Sequence, residues 1–108
     1  MYEKAKAICQ DPVVDEFISQ VERCVELFAK KQADYGPGNI AKFGEVGLLV
    51  RLNDKLERLI NLVTQNKRPE NEAIEDTLRD IANYAIIWLI VRDGKWPNCA
   101  RYKITKEG

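Results

Sequence analysis

The sequence predicts an all-α protein, and three observations lead to that prediction. Three long segments place apolar residues at steps of three and four, as amphipathic helices do. No segment alternates apolar and polar residues in the manner of a half-buried strand. The chain has 108 residues, of which 45% are hydrophobic, so one compact core is expected. We therefore expect a single domain over residues 1–108, built as a helical bundle of three long helices.

The first long helix is predicted to follow a lead of ten residues. Asp11 is suited to cap it, and Pro12 is suited to its first turn. The helix is predicted to end near Gly36, where Pro37 stops it. Its apolar stripe consists of Phe17, Val21, Cys24, Val25 and Phe28.

The second and third helices are predicted over about 44–66 and about 71–92. Their apolar stripes are Leu48, Leu49, Leu52, Leu56, Leu59, Ile60 and Val63 on one helix, and Ile74, Leu78, Ile81, Ala85, Trp88 and Leu89 on the other. A connection of roughly 4 to 6 residues makes the two helices antiparallel neighbours, a central hairpin. The polar residues 97–108 are predicted to form a loosely attached tail.

Charge and cysteine content exclude several classes of protein. Seventeen basic residues balance seventeen acidic ones, which disfavours a bulk nucleic-acid binder or a protein drawn to anionic membranes. The three cysteines lack CxxC spacing and there is no histidine, so a transition-metal site is poorly supplied. The opening residues MYEKAKAICQ contain no apolar run of the kind found in a signal peptide or membrane span. We expect a cytoplasmic protein.

Polar residues line the face of each central helix opposite its apolar stripe. In an antiparallel pair, residues at equal height have numbers with a constant sum, so these polar residues are predicted to meet at three levels. The levels are Asp54 with Asn83, Glu57 with Asp80, and Asn61 with Asp76.

This acidic layer is predicted to bind a divalent cation. Glu57 and Asp80 have no cation at their helical neighbour positions, and Asp76 repels Asp80 at the i,i+4 spacing. Carboxylate and amide oxygens are hard ligands, which favour Mg²⁺ or Mn²⁺. The predicted metal ligands are Asp54, Glu57, Asp76 and Asp80. The alternative is that these acids belong to ordinary solvated helix faces.

The segment YAIIWLIV at 84–91 is apolar on every side, and a helix of that kind needs cover on both faces. We expect a homodimer or homotetramer in which Ile87, Ile90 and Val91 are covered and the acidic pocket lies near the subunit boundary. The alternative is that the first helix and the tail cover this segment within one chain.

Three motifs carry a resemblance to a known family: DYG at 34–36, GLLVRLNDKLERL at 47–59 and EDTLRDIANYAI at 75–86. Together they resemble the MazG-like all-α nucleoside triphosphate pyrophosphohydrolases, and more specifically the phage-associated nucleotide modification associated domain. The resemblance covers about 31–87. It implies Mg²⁺-dependent cleavage of a nucleoside triphosphate to the monophosphate and pyrophosphate, in a dimer or tetramer of helical bundles.

The resemblance also implies roles for individual acids. Asp54 and Glu57 match the first acidic motif, and Asp80 matches the final aspartate of the second. Thr77 stands where the second motif has a glutamate, with Asp76 one residue earlier. In the enzyme that this implies, Glu57 or Asp80 acts as the catalytic base beside the metal.

Residues around the acids are predicted to contact a nucleotide. Basic side chains are suited to phosphates, amides to a ribose or base edge, and tyrosines to stacking on a base. The predicted ligand-binding residues are Lys31, Tyr35, Arg51, Lys55, Arg58, Asn61, Arg79, Asn83 and Tyr84. The loop DYGPGNIAKFGEVG lacks GK[ST], so it is either a plain helix end or a lid in which Lys42 joins Lys31 and Tyr35. Gly47 is predicted to leave room for the ligand.

Three functions follow from these features. The leading one is a Mg²⁺-dependent pyrophosphohydrolase that acts on a (deoxy)nucleotide, in the host cytoplasm if the chain is phage-encoded. The second is a non-catalytic protein that sequesters a nucleotide or a nucleotide second messenger, an anti-defence sponge, which the threonine at position 77 favours. The third is a helical interaction protein that binds no small ligand.

Overall fold

The computed structural model describes residues 1–65 and 71–99. Within those ranges the chain forms helices and no strand, which confirms the all-α prediction. No helix there is both long enough and apolar enough to pass through a lipid bilayer. The helices are α1 (Glu3–Ile8), α2 (Val13–Tyr35), α3 (Gly38–Thr64) and α4 (Asn71–Arg92).

The two ends of α2 follow the predicted signals. The backbone N–H of Val13 donates to Asp11 Oδ1 at 2.9 Å, so the aspartate caps the helix as predicted. At the other end Gly36 adopts φ 68° and ψ −178°, and its N–H donates to the Gln32 carbonyl. Such a backbone conformation is almost confined to glycine, which explains why the helix ends there. The ten-residue lead contains the short helix α1, which the sequence analysis missed.

Helix α3 begins six residues earlier than predicted and bends at the residue where its start was expected. Gly44 has φ 58° and ψ −143° inside the helix, a kink that a glycine accommodates. The kink brings Phe43 so close to Gly47 that a Cβ at position 47 would collide with the Phe43 side chain. Gly47 therefore makes room for Phe43, and the prediction that it makes room for a ligand stays a prediction.

Helices α3 and α4 pack against each other in antiparallel directions. Contacts between side chains pair Glu45 with Arg92, Lys55 with Asp80, and Arg58 with Thr77, so numbers rise on one helix as they fall on the other. Helix α4 has the predicted bounds. The short connection predicted between the two helices falls on residues 66–70, outside the described ranges.

The core lies where α2, α3, α4 and the segment after α4 meet. Trp96 anchors that segment, because its indole N–H donates to the Pro37 carbonyl at 3.0 Å and its ring meets Phe28 edge to face at 6.2 Å. Cys99 packs against the same core, so the predicted loose tail is attached as far as that residue, and 100–108 lie outside the described ranges. The buried apolar residues are Ile40, Leu48, Ile87, Val91 and Trp96.

Candidate functional site

A cleft of about 270 Å³ lies between α2, α3 and α4. It combines cationic, amide and aromatic side chains, a mixture suited to a small polar ligand with a flat ring. Six of its residues were predicted from the sequence: Lys31, Tyr35, Arg51, Asp80, Asn83 and Tyr84. The other six were not predicted as site residues: Phe28, Gln32, Gly36, Asn39, Ile40 and Ile87.

Asp80 is the acid of this cleft, and lysines from two other helices hold it. Lys31 Nζ of α2 lies 2.7 Å from Asp80 Oδ1, and Lys55 Nζ of α3 lies 3.0 Å from Asp80 Oδ2. Partial burial raises the pKa of Asp80, but the hydrogen bonds and charges of the two lysines outweigh burial and hold the pKa below its ordinary value. The carboxylate therefore stays ionised and fixes both ammonium groups beside the cleft.

We expect Asp80→Asn to lower the free energy of unfolding by about 1 kcal/mol at neutral pH, because Lys31 and Lys55 are partly solvent-screened. A lowered pKa in the folded state means that this stabilisation is present above the ordinary pKa of 3.8 and is lost as the pH falls through the lower folded value. Urea unfolding at pH 7, 5 and 3 should therefore show a constant difference between the two proteins down to pH 5, and a smaller one at pH 3.

Asp76→Asn is the matched control for this prediction. Asp76 lies one turn away on α4, is exposed, and has Arg79 NH1 at 3.4 Å. Its replacement should change stability by less than about 0.5 kcal/mol. An equal effect of both substitutions, or a difference for Asp80→Asn that persists unchanged at pH 3, would contradict the role given to the two lysines.

The predicted acidic layer does not assemble. Asp54, Glu57 and Asn61 are exposed on α3, and the residues that reach α4 are their neighbours Lys55 and Arg58. The levels along the hairpin were predicted to within about one residue, but the rotation of α3 about its axis was wrong. In residues 1–65 and 71–99, no three acidic, cysteine or histidine side chains are placed to hold a metal ion.

The predicted carboxylate ligands of one chain are therefore not placed to bind a divalent cation together. Both oxygens of Asp80 already face ammonium groups, and Asp54 and Glu57 are exposed on α3. The prediction of a metal rested on Asp80 having no cation at the positions three and four residues away on its own helix. That observation is correct, but the compensating charges come from α2 and α3, which neighbour positions within α4 do not reveal.

Four other residues that were predicted to contact the ligand lie outside the cleft. Arg79 bonds Asp76 and contributes to a shallow depression beside Arg23 and Lys30, on the outer side of α2 and α4. Arg58 Nε donates to Thr77 Oγ1 at 3.3 Å. The remaining two, Lys42 and Asn61, are exposed and do not line the cleft, and Lys42 Nζ lies 5.6 Å from the ring of Phe43.

Thr77 occupies a helix contact. Its side chain is buried, and its hydroxyl donates to the Ala73 carbonyl at 2.7 Å while it accepts the bond from Arg58. A residue in this position holds α3 and α4 together. The position at which the MazG-like motif has a glutamate is thus part of the packing between helices here.

Glu45 is the buried acid that the sequence analysis missed. It lies directly after the kink and is 1% exposed. Its Oε1 accepts hydrogen bonds from Trp88 Nε1 at 2.7 Å and from Arg92 NH1 at 2.9 Å. These contacts attach the N-terminal turns of α3 to the C-terminal half of α4, and those turns carry Asn39 and Ile40 into the cleft. The signal available in the sequence was the pair Trp88 and Arg92, four residues apart on one helix face.

Comparison with known proteins adds a family. The family model for nucleotide modification associated domain 1 matches residues 31–91, more than half of the chain. The chain belongs to this family. No curated protein and no solved structure matches the chain. The segment matched by nucleotide modification associated domain 1 contains every residue that lines the cleft except Phe28.

Proposed function

We propose that the cleft binds a nucleotide and leaves it intact. The observation that supports this most directly is Arg51, which lines the cleft and has no ion-pair partner in the described parts of the chain. A guanidinium binds phosphate through two parallel hydrogen bonds, so Arg51 is suited to a phosphate group. The family description, which concerns nucleotide modification, supports the same class of ligand.

The other residues of the cleft suit the remaining parts of a nucleotide. Phe28, Tyr35 and Tyr84 offer aromatic surface on which a base can stack. Gln32 and Asn39 carry amides that can pair with the edge of a base or with a ribose hydroxyl. Lys31 remains half exposed beside Asp80 and gives a second positive charge at the mouth of the cleft.

Pyrophosphohydrolase activity is the competing proposal, and the resemblance to MazG-like enzymes favours it. Hydrolysis of that kind needs several carboxylates around Mg²⁺ or Mn²⁺. The carboxylates of Asp54, Glu57 and Asp76 are exposed, and among the described residues no three acids are grouped to hold a metal ion, so the arrangement within one chain favours binding without turnover. A protein that binds without turnover acts by lowering the free concentration of its ligand, as a sequestering protein does.

Isothermal titration with a panel of linear and cyclic nucleotides, with and without Mg²⁺, tests the proposal. The binding mixtures are then denatured and analysed by mass spectrometry. We expect saturable binding of at least one nucleotide, no dependence on Mg²⁺, and recovery of the intact compound. Release of pyrophosphate would establish the hydrolase instead. If no nucleotide of the panel binds, the proposal is wrong and the remaining function is that of a helical interaction protein.

The Arg51→Ala substitution tests whether the nucleotide binds in the cleft. Loss of a charge-assisted hydrogen bond to phosphate is expected to raise Kd about 10- to 100-fold. Arg23→Ala is the matched control, because Arg23 belongs to the depression on the outer side of α2 and α4 and should leave Kd unchanged. Equal effects of the two substitutions would place the ligand elsewhere.

A further inference from the structure

The wall of the cleft carries few charged side chains. Among the residues that the structure describes, the charged ones that line it are Lys31, Arg51 and Asp80. The rest of the wall is uncharged, and Ile40 and Ile87 in it belong to the buried core. Ile87 is therefore covered within the chain, although the sequence analysis expected a second subunit to cover it. A bound anion has only a small number of cations to pair with.

The charges around the cleft match those of a single phosphate group. Lys55 does not line the cleft, but its Nζ lies 3.0 Å from Asp80 Oδ2 and adds a positive charge there. Together with Lys31, Arg51 and Asp80 it gives the site a net charge of +2. A phosphate monoester carries about −1.5 to −2 at neutral pH. One such group therefore balances the positive charge of the site.

Any further phosphate has to approach the carboxylate of Asp80. This carboxylate stays ionised at neutral pH, because the two lysines hold its pKa below the ordinary value. Its Oδ1 lies 2.7 Å from Lys31 Nζ, so the charge of Lys31 is shared between the acid and a ligand. Each additional phosphate brings negative charge to a site that is already balanced, and like charges at short range repel.

Two further features disfavour a chain of phosphates. Sites that act on triphosphates commonly use Mg²⁺ to bridge the β and γ oxygens. The described helices group no three acids to hold such an ion. The cleft volume of about 270 Å³ also lies below the range of about 300 to 1,000 Å³ that is typical of pockets for drug-sized ligands. Both features favour a small ligand with a short charged part.

We propose that the cleft selects nucleotides with one phosphate group, and that Asp80 discriminates against those with more. This selectivity rests on the proposed function, since it names the class of nucleotide that the cleft binds. Lys31 and Arg51 attract the phosphate. Asp80 limits its charge, because it holds both lysines in ion pairs and repels additional phosphates.

Isothermal titration in Mg²⁺-free buffer of fixed ionic strength tests the selectivity. The probes are adenosine, guanosine, cytidine, uridine and thymidine, each as the nucleoside and as its 5′-mono-, di- and triphosphate. For the base that binds most tightly, we expect the monophosphate to bind at least about 10-fold more tightly than the nucleoside and the triphosphate. A nucleoside or a triphosphate that binds at least as tightly as the monophosphate would overturn the proposal.

Asp80→Asn tests the role of Asp80 through a ratio that is measured within one protein. The Kd of the triphosphate is divided by the Kd of the monophosphate, so that a general loss of affinity or stability cancels. Asparagine removes the repulsion and releases Lys31 from its ion pair. The ratio should therefore fall at least about 5-fold relative to the unchanged protein.

Asp76→Asn is the matched control. It removes the same charge from an exposed residue of α4 that does not line the cleft, and it should change the ratio less than about 2-fold. An unchanged ratio in Asp80→Asn, or equal shifts in both variants, would overturn the role of Asp80. If no probe binds, the proposed function fails as well. If nucleotides bind and Arg51→Ala weakens them, but the phosphate number does not matter, the selectivity alone is wrong.

Discussion

Replacing Glu45 with alanine is expected to lower the free energy of unfolding by about 3 kcal/mol. The carboxylate is almost completely buried and accepts hydrogen bonds from Trp88 and Arg92. Its removal leaves the indole N–H without that acceptor and opens a cavity at the bend of α3. The side chain of Arg92 is 40% exposed, so its guanidinium can turn toward water, and the loss should fall near the lower end of the range for broken buried pairs.

Urea unfolding at a fixed protein concentration, followed by circular dichroism and tryptophan fluorescence, measures this loss. Glu45→Gln keeps an acceptor for Trp88 but removes the charge that Arg92 needs, so it should cost only about 1 to 1.5 kcal/mol. Glu57→Ala is the control, because Glu57 is an exposed glutamate on the same helix and should cost less than about 0.5 kcal/mol. Similar losses for Glu45→Ala and Glu57→Ala would show that the buried contact contributes little.

The sequence predicted α4 and the two ends of α2 well, because local chemistry determines them. An aspartate two residues before the helix, a glycine with positive φ after it, and an uninterrupted apolar period are all visible without a tertiary structure. Half of the cleft was predicted for a related reason. Lys31, Tyr35 and Arg51 are residue types suited to phosphate and base. Arg51 lies beside the acids of the hairpin in the sequence, and Lys31 and Tyr35 belong to the segment that was predicted as a lid.

The rotation of α3 was not predictable from its apolar pattern. The helix has a stripe that packs into the chain, with Leu48, Leu52 and Leu59, and a second stripe that stays exposed, with Leu49 and Leu56. Both stripes contribute to the same broad apolar period, so the pattern does not distinguish the core from an exposed apolar surface. An apolar direction averaged over both stripes places Glu57 on the face expected to meet α4. In the structure, Lys55 is the residue of α3 that reaches Asp80.

The partner of Asp80 is a second case in which local reasoning fails. At the positions three and four residues away on α4, Asp80 has an acidic neighbour and no cation, which made a metal ion the simplest way to balance its charge. In the fold, Lys31 and Lys55 supply that balance from sequence separations of 49 and 25 residues. Only the three-dimensional arrangement of three helices distinguishes an acid that is paired with lysines from an acid that binds a metal ion.

Gly44→Val is expected to lower the free energy of unfolding by about 3 kcal/mol or more. At φ 58° and ψ −143° a residue with a side chain is strained by about 1 to 3 kcal/mol, and a β-branched side chain fares worst. Gly44 is also buried, so a valine has to displace neighbouring atoms at a further cost of about 1 to 3 kcal/mol. A straightened helix would avoid the strain only by moving Glu45 away from Trp88 and Asn39 away from the cleft.

Gly38→Ala separates this effect from a general intolerance of substitution at glycines in α3. Gly38 is the first residue of the helix, and a Cβ added to it meets open space. Alanine there should be neutral or should stabilise the chain by up to about 1 kcal/mol, because it restricts the unfolded state. If Gly44→Val unfolds at the same urea concentration as Gly38→Ala, the bend is not required by the fold. If instead Gly44→Val is destabilised and also binds nucleotide more weakly while Gly38→Ala does neither, the bend both stabilises the helix pair and shapes the cleft.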